Sequence, residues 1–357
     1  MVQEEKQQQI NSTAFQVLIA LSAVHCMNDA LQSVVTASYP ILKNDMQLSF
    51  RQIGLITLTY QMAASIFQPL VGLFFDKKPS LWSLPIGMSF TLAGLVFLAS
   101  STTLPWTLCS VFMVGIGSST FHPEASRLTS ISSGGKRGFA QSVFQVGGNL
   151  GSSLGPLLVA AIVAPHFRTH IAYFSILSAI ALLVMIPICK WYKKYLRLNA
   201  KIEKIETTHT KLPYPLAKTV FTIVVLLVLI FSKYVYMSSL TSYFTFYLIE
   251  KFNVSIQHSQ IFLFVFLIAT AIGTMIGGPL GDRIGRKYVI WLSILGTAPF
   301  AMLMPHVSLT WTVILSFFCG LILSSAFPAI LVYAQELLPY KLGLVSGLFY
   351  GFSFGIA

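Results

Sequence analysis

The chain consists of long apolar stretches separated by polar segments, and this pattern constrains the fold more than any other feature. Each stretch is about twenty residues or longer, enough for a helix to cross the roughly 30 Å hydrocarbon core of a bilayer. Lipid offers the backbone no hydrogen-bond partners, so such segments have to be helical. We therefore predict an all-α polytopic membrane protein. Its stretches run near 15–40, 52–75, 82–101, 104–130, 139–164, 170–192, 217–248, 257–281, 288–306 and 308–334, and a further one begins near 342.

The composition also indicates that lipid is the main solvent of this chain. Hydrophobic residues occupy 55% of the 357 positions and charged residues only 10%, whereas soluble domains carry about 25% charged residues. So few charges could not cover a water-facing surface of this size. The lipid bilayer is therefore an expected partner.

The net charge of +12 reflects topology and not a nucleic-acid site. Eighteen of the 23 Lys and Arg lie in the N-terminus, in every second segment between stretches, or within four residues of such a segment. This is the positive-inside distribution of a membrane protein. It predicts that the N-terminus and the central linker face the cytoplasm, that the protein resides in a bacterial inner membrane, and that nucleic acid is not a partner.

A long polar connection divides the chain into two halves. Residues 193–216 are rich in Lys and Arg and contain Pro213 and Pro215, typical of a cytoplasmic linker. We predict an N-terminal six-helix half over 1–192 and a C-terminal half of about five helices over 217–357. Because the last apolar stretch is short, the sequence predicts a fold truncated within its eleventh helix.

The two halves are related by an internal repeat with an offset of 206 residues. Gly72, Asp76 and Lys77 correspond to Gly278, Asp282 and Arg283. Further matches are Ser118-Ser119 with Ser324-Ser325, and, after a slip of one residue, Gly138 and Phe144 with Gly343 and Phe349. Such repeats are typical of transporters built from two similar halves.

The second half contains a loop motif made of Gly278, Asp282, Arg283, Gly285, Arg286 and Lys287. Its glycines permit a tight turn between closely packed helices, and its charges can pair across a cytoplasmic gate, with Glu336 as a candidate partner. The motif resembles the cytoplasmic loop signature of the major facilitator superfamily. The first-half copy keeps Gly72 and Asp76 but then departs from the pattern. The alternative is that these are ordinary loop charges.

The fifth stretch resembles the glycine-rich motif of antiporters in the same superfamily. Gly147, Gly151 and Gly155 recur every fourth residue, and Pro156 follows them. Glycines at this spacing let two helices approach closely, and proline bends a helix. Close packing without any bearing on export is the alternative.

Ionisable residues inside the stretches are the candidates for function, because each costs roughly 2.5–3.5 kcal/mol to insert into a bilayer. His25 and Asp29 share one face of the first span. Glu124 and Arg127 lie one turn apart in the fourth span, and Lys233 lies in the seventh. The remaining polar candidates are Asn28, Gln32, His122 and Tyr236.

Several longer strings match a known pattern: Phe121-His122-Pro123-Glu124, Phe144-Gln145-Val146-Gly147-Gly148-Asn149, Phe231-Ser232-Lys233-Tyr234 and Tyr333-Ala334-Gln335-Glu336, with His25 to Asp29. Together they resemble the fosmidomycin-resistance branch of the superfamily, over about residues 15–357. The resemblance implies a twelve-helix, proton-dependent efflux carrier for small drug-like compounds, including an anionic phosphonate. It also implies that spans one, four, seven and ten line a central cavity.

Within that fold the charged residues acquire expected roles. Asp29, tuned by His25, takes up and releases the proton, and Glu124 is a second proton site or neutralises Arg127. Lys233 and Arg127 attract the anionic substrate, with Asn28, Gln32, His122 and Tyr236 as further contacts. By the repeat offset, Asp29 and Lys233 face each other at similar depth. The alternatives are a helix contact for Asp29, a static counter-ion for Lys233, and packing roles for the histidines.

Other functional classes remain to be compared. Uptake of a small anionic metabolite together with protons would use the same charges, and an inactive fragment is a further alternative. An enzyme is not expected, since His122 and Glu124 have no third ligand at a sensible spacing and no nucleophile motif is present. We thus expect a monomeric carrier with no metal and no cofactor, driven by the proton gradient.

The predicted topology can be tested by labelling a cysteine placed in the linker. Ile205→Cys should react with a membrane-impermeant maleimide only after the cells are opened. Labelling in intact cells would contradict the topology.

Overall fold

The computed structural model describes residues 14–163, 168–203, 214–254 and 256–356, and these residues form helices and turns without a β-strand. Residues 204–213 of the predicted linker lie outside this part, so the predicted half boundaries stay predictions. The helix before the linker continues to Glu203, and the next one begins at Leu216.

The helices up to the linker are numbered α1 to α7. Pro156 falls near the end of α6, which passes into a π-helical turn at Val159–Val163, and a 3-10 turn at Arg168–Tyr173 precedes α7. The bounds are α1 Phe15–Ala37, α2 Tyr39–Asp45, α3 Phe50–Lys77, α4 Ser83–Ser100, α5 Leu104–Ile131, α6 Arg137–Leu158 and α7 Phe174–Glu203.

Seven further helices follow the linker. The ninth predicted stretch forms two helices, one that ends at Leu295 and one that starts at Thr297, with Gly296 between them. The bounds are α8 Leu216–Phe252, α9 Ile256–Ile284, α10 Arg286–Leu295, α11 Thr297–Leu303, α12 Leu309–Ser324, α13 Ala326–Leu337 and α14 Leu342–Ile356.

Nine helical segments of the described chain are long and apolar enough to cross a membrane. They include α1, α3, α4 and α5, and the segments Arg168–Leu198, Leu216–Leu240, Ile261–Ile284, Arg286–His306 and Leu309–Leu337. The glycine-rich α6 is also helical, and α14 contributes a shorter apolar helix, Leu342–Ser353. The predicted all-α membrane architecture is confirmed, whereas the predicted truncation stays a prediction.

The described residues form two compact units that do not follow chain order. The first unit takes its members from Met1–Gly135, Val143–Pro213 and Leu338–Gly355, and the second from Lys136–Ser142, Tyr214–Leu337 and Ile356–Ala357. The first residues of α6 therefore pack with the second unit, and most of α14 packs with the first.

The first unit is built around α5, which packs against α3, α4 and α1. Glycines of α6 bring that helix against α1: a Cβ on Gly147 would meet Ser22, one on Gly151 would meet Cys26, and one on Gly155 would meet Ser33. Close packing by the glycine motif is thus observed.

The second unit is organised by α9, which packs against α12 and α8. Gly273 and Gly277 of α9 lie against backbone carbonyls of Leu321 and Ser325, so α9 and α12–α13 touch at the backbone. Phe244, Leu248, Met304, Leu315 and Cys319 form a buried apolar cluster at one end of this unit.

The close α1–α6 contact predicts a specific cost for a methyl group at Gly151. Gly151→Ala would place Cβ 2.8 Å from the Cys26 carbonyl carbon and 3.0 Å from the Ala30 nitrogen. Overpacking of this kind typically costs about 1–3 kcal/mol. Thermal unfolding of the purified variant in detergent should therefore show a lower midpoint.

Gly54→Ala is the matched control, because a Cβ at this helical position of α3 meets nothing within 4 Å. It should leave the midpoint unchanged or raise it, since alanine is favoured over glycine by about 0.5–1 kcal/mol inside a helix. Equal midpoints for the two variants would contradict the tight α1–α6 contact.

Candidate functional site

Asp29 lies between two histidines in the interior of the first unit. Its Oδ2 is 3.2 Å from Nε2 of His25, and its Oδ1 is 3.1 Å from Nε2 of His122. Both imidazoles are fully buried, and Asp29 is 6% exposed. We call His25, Asp29 and His122 the His–Asp–His cluster.

Two helices supply this cluster. His25 and Asp29 are four residues apart on α1, so about one turn of helix places them on the same face. His122 comes from α5, immediately before Pro123, in a segment where residues 117–130 are all buried. The sequence predicted the local pair, but the partnership between Asp29 and His122 arises from packing.

The outer nitrogens of both histidines point at backbone carbonyl groups. Nδ1 of His25 lies 2.7 Å from the Phe144 oxygen, and Nδ1 of His122 lies 3.0 Å from the Ser118 oxygen. A carbonyl oxygen can only accept, so a hydrogen bond to Phe144 requires a hydrogen on Nδ1 of His25, and a neutral His25 ring then has a bare lone pair on Nε2. Nδ1 of His122 also lies 3.2 Å from the Ser118 hydroxyl, which can donate to it, so either tautomer of His122 has a partner at Nδ1.

The two imidazoles differ in their contacts with Asp29. His122 Nε2 lies within hydrogen-bond distance of Oδ1, whereas His25 Nε2 forms no hydrogen bond with the described residues although it lies 3.2 Å from Oδ2. The cluster therefore brings one carboxyl group and two imidazoles, each of which can carry a proton, together at a buried position.

Aromatic rings and a glycine close the space around the cluster. The Phe144 ring stacks on His25 with centroids 3.9 Å apart, and the Tyr350 ring lies 5.5 Å from that of His122. A Cβ on Gly148 would lie 2.6 Å from His25 Nε2 and 2.8 Å from Asp29 Oδ2. Sequence reasoning missed the positions of Gly148 and Tyr350 at the site, because no local pattern links either to Asp29.

Two predicted amide contacts lie beside the cluster. Asn28 donates to Asp29 Oδ1 at 3.1 Å, and Gln32 Oε1 accepts from Tyr60 at 2.6 Å and from Ser118 at 3.0 Å. Within the described chain, Asn28 Oδ1 and Gln32 Nε2 are buried without a hydrogen-bond partner. These two atoms are free to bond water or a ligand.

Glu124 and Arg127 form a buried ion pair on α5. Arg127 Nε lies 2.8 Å and its terminal nitrogen 2.6 Å from the two Glu124 oxygens, and the guanidinium also donates to the Tyr192 hydroxyl. Two-point pairing of this kind is strong and oriented. The geometry favours the alternative in which Glu124 neutralises Arg127, and Tyr192 is a partner that sequence reasoning missed.

Lys233 lies in the second unit, on α8. It is 8% exposed and donates to the Ser293 hydroxyl and, at 3.4 Å, to the Leu323 carbonyl. Among the described residues of its own unit, no carboxylate is within ion-pair distance. With Tyr236 it lines a cavity of about 250 Å³ whose other walls include Ser232, Thr297 and Ile294. The predicted arrangement of Lys233 opposite Asp29 stays a prediction.

The loop motif is hydrogen-bonded to the N-terminus of α6. Asp282 accepts from the backbone nitrogens of Gly138 at 3.1 Å and Phe139 at 2.9 Å. Arg286 bonds Asp282 at 2.9 Å and Glu336 at 3.0 Å. A carboxylate at a helix N-terminus is favoured by the free N–H groups and the helix dipole.

Asp76, the first-half counterpart, does the same for α14. It accepts from the nitrogens of Gly343 and Leu344, each at 2.8 Å. Gly72 packs on Gly343 as Gly278 packs on Gly138, so both copies of the motif bring two backbones together. Sequence reasoning found the repeat but missed that each aspartate caps a helix.

Three further residues of the loop motif, Gly285, Arg283 and Lys287, lie outside the network around Asp282. Gly285 has φ of 98°, a conformation that glycine adopts far more readily than other residues. Arg283 and Lys287 are exposed and form no ion pair with the described residues. The structure therefore places Arg286, and not Arg283, in the network around Asp282.

The cluster is also compatible in geometry with a metal ion, since one ligand atom from each of its residues lies within 4.8 Å of the others. This group contains His122 but not Glu124, the partner considered from the sequence, and its other two members come from α1. The expectation of no metal stays a prediction.

Comparison with known proteins decides the family. Residues 21–357 match the Major Facilitator Superfamily. The chain belongs to this superfamily. It is therefore a membrane transporter and not an enzyme, as predicted, and the nine apolar helices agree with that assignment.

Two bacterial relatives match nearly the whole chain. The fosmidomycin resistance protein of Escherichia coli (strain K12) is 54% identical over 344 residues, which cover 96% of this chain and 84% of that protein. The MFS-type transporter YfnC of Bacillus subtilis (strain 168) is 38% identical over 357 residues, covering 99% and 87%. The predicted resemblance is confirmed.

Solved structures of the superfamily share the fold. FucP in the outward conformation aligns with a TM-score of 0.72 at 14% identity, covering 96% of this chain and 89% of FucP. The proton:xylose symporter XylE aligns with a TM-score of 0.69 at 11% identity, covering 96% and 86%.

The network around Asp282 predicts a transport defect without a folding defect. Asp282→Asn keeps shape but removes the charge that caps α6 and pairs with Arg286. Transport of a labelled substrate into inverted vesicles should fall severalfold, while the amount of protein in the membrane stays constant.

Arg283→Gln is the matched control. It removes one charge from the adjacent, exposed position and should leave transport near the parent rate. A similar loss of transport in both variants would show that the general charge of the loop, and not the network around Asp282, sets the transport rate.

Proposed function

We propose that this transporter exports small drug-like anions of the phosphonate type, such as fosmidomycin, in exchange for protons. The observation that carries the proposal is the His–Asp–His cluster, which places three groups able to carry a proton next to one another at a buried position. The 54% identity to the fosmidomycin resistance protein supports the substrate class and the direction.

The cluster couples export to protons through its charge. Each proton that it gains or loses changes its charge by one unit at a buried position. In a protein interior with an effective dielectric constant of about 20, such a change alters the energy of interaction with another unit charge about 4 Å away by several kcal/mol. Each proton taken up or released therefore biases the conformation in which the site faces one side of the membrane.

Lys233 is the leading candidate for the charge that attracts the substrate. Arg127 is already neutralised by Glu124, whereas Lys233 has no carboxylate partner among the described residues of its unit. A buried cation without an opposite charge is costly, and an anion would satisfy it. The hydroxyl groups of Tyr236 and Ser232 line the same cavity and offer hydrogen bonds.

The proposal also includes the oligomeric state, the membrane, the orientation and the energy source of the carrier. It works as a monomer in the bacterial inner membrane, with the N-terminus and linker in the cytoplasm, and uses the proton gradient without a bound cofactor. The basic residues near the linker and at the loop motif support this orientation.

Asp29→Asn tests the coupling role. Asparagine cannot exchange a proton, so efflux driven by a pH gradient in proteoliposomes should fall to background. Exchange of labelled for unlabelled substrate, which needs no net proton movement, should persist.

Lys233→Gln should instead raise the KM for an anionic substrate at least tenfold, while efflux stays coupled to the pH gradient.

Asp45→Asn is the matched control, because Asp45 is half-exposed and pairs with Arg168 outside the cluster. It should transport normally. Normal proton-driven efflux by Asp29→Asn would remove Asp29 from the mechanism. Proton-driven accumulation in the opposite direction by the parent protein would establish an uptake symporter instead.

A further inference from the structure

A deep groove lies on the first unit between α4 and α7, away from the His–Asp–His cluster. It has a volume of about 800 Å³ and is open along one side. Its walls are almost entirely apolar, with Phe90, Met113 and Met185 among the larger side chains. Both helices are membrane spans, so the groove opens toward the surrounding lipid.

The two ends of this groove differ in chemistry. Cys189 Sγ lies 3.2 Å from the Leu81 carbonyl, so the C-terminal part of α7 runs beside the start of α4. Lys190 and Lys193 line the groove at that end, and Trp82 stands next to them, 69% exposed. At the other end the walls are Ala93 and Leu182.

The two lysines are available to a ligand. Both are exposed, and neither is within ion-pair distance of a carboxylate in the described part of the chain. They are three residues apart on α7, so both side chains project from one face of the helix. A single anionic group at this end would contact both.

The groove is long enough for an acyl chain. From Trp82 to Ala93 the helix rises about 16 Å at 1.5 Å per residue. This distance is close to half of the roughly 30 Å hydrocarbon core, the depth that one acyl chain occupies. Aromatic residues such as Trp82 are typical of the level where headgroups meet the hydrocarbon.

We propose that this groove is a binding site for an anionic phospholipid. One acyl chain lies along α4 toward Ala93, and the phosphate bonds Lys190 and Lys193. A basic pocket between spans at the headgroup level is the arrangement by which membrane proteins select anionic lipids. The site is independent of the proposed export function, since it contains no residue of the cluster or of the Lys233 cavity.

The proposal can be tested by native mass spectrometry of the detergent-solubilised protein titrated with phosphatidylglycerol or phosphatidylcholine. The parent should retain phosphatidylglycerol preferentially. The double variant Lys190→Gln with Lys193→Gln should bind phosphatidylglycerol about thirtyfold more weakly, equivalent to about 2 kcal/mol at 1.4 kcal/mol per tenfold change. Its affinity for phosphatidylcholine should be unchanged.

Lys194→Gln with Arg197→Gln is the matched control. It removes the same charge from the same helix outside the groove, and should leave phosphatidylglycerol binding within about twofold of the parent. Equal losses in the two double variants would overturn the site, because they would show attraction by the net charge of α7 alone.

A second variant tests the apolar end without changing charge. Ala93→Phe fills the groove and should weaken retention of phosphatidylglycerol, whereas Val96→Phe, on the exposed face of α4 outside the groove, should not. Undiminished binding by Ala93→Phe would overturn the placement of the acyl chain. Size-exclusion profiles matching the parent would show that each variant is folded.

Discussion

Lipid offers no hydrogen-bond partner, so polar groups within the spans take most of their partners from inside the chain. The backbone N–H and C=O groups of the spans are paired with one another because the spans are helical. Many hydroxyl groups bond nearby carbonyls: Ser38, directly after α1, donates to the Val34 carbonyl, and Thr129 donates to that of Ala125 within α5. Ionisable groups pair within one helix, as Glu124 and Arg127 do, and between helices, as Asp29 and His122 do, and pairs of the second kind hold two helices together.

Asp76 and Asp282 illustrate how one polar contact satisfies two helices together. Each lies near the end of a helix of its own repeat and accepts from the first free N–H groups of another helix. The contact satisfies donors that would otherwise be lost at a helix start. Glycines at the same places, Gly72 with Gly343 and Gly278 with Gly138, let the two backbones approach closely enough for it to form.

The candidate site was predictable to the extent that its members are neighbours along one helix. The i, i+4 spacing of His25 and Asp29 and the i, i+3 spacing of Glu124 and Arg127 follow from 3.6 residues per turn. Sequence reasoning assigned the second pair two roles, and only the geometry of Arg127 favours neutralisation. His122 was a candidate for substrate contact, yet its Nε2 faces Asp29, 93 positions away in the chain.

The amino-acid sequence by itself determined the solvent, the helical class, the repeat and the family, because these depend on local hydrophobicity, charge and motif spacing. Tertiary structure alone decided which polar groups became partners: Asp29 with His122, Arg127 with Tyr192, Asp282 with the start of α6. The reason is physical. A helix fixes which residues share a face, but the rotation and close approach of two helices depend on their packing, and glycines such as Gly148 define how near the side chains can come.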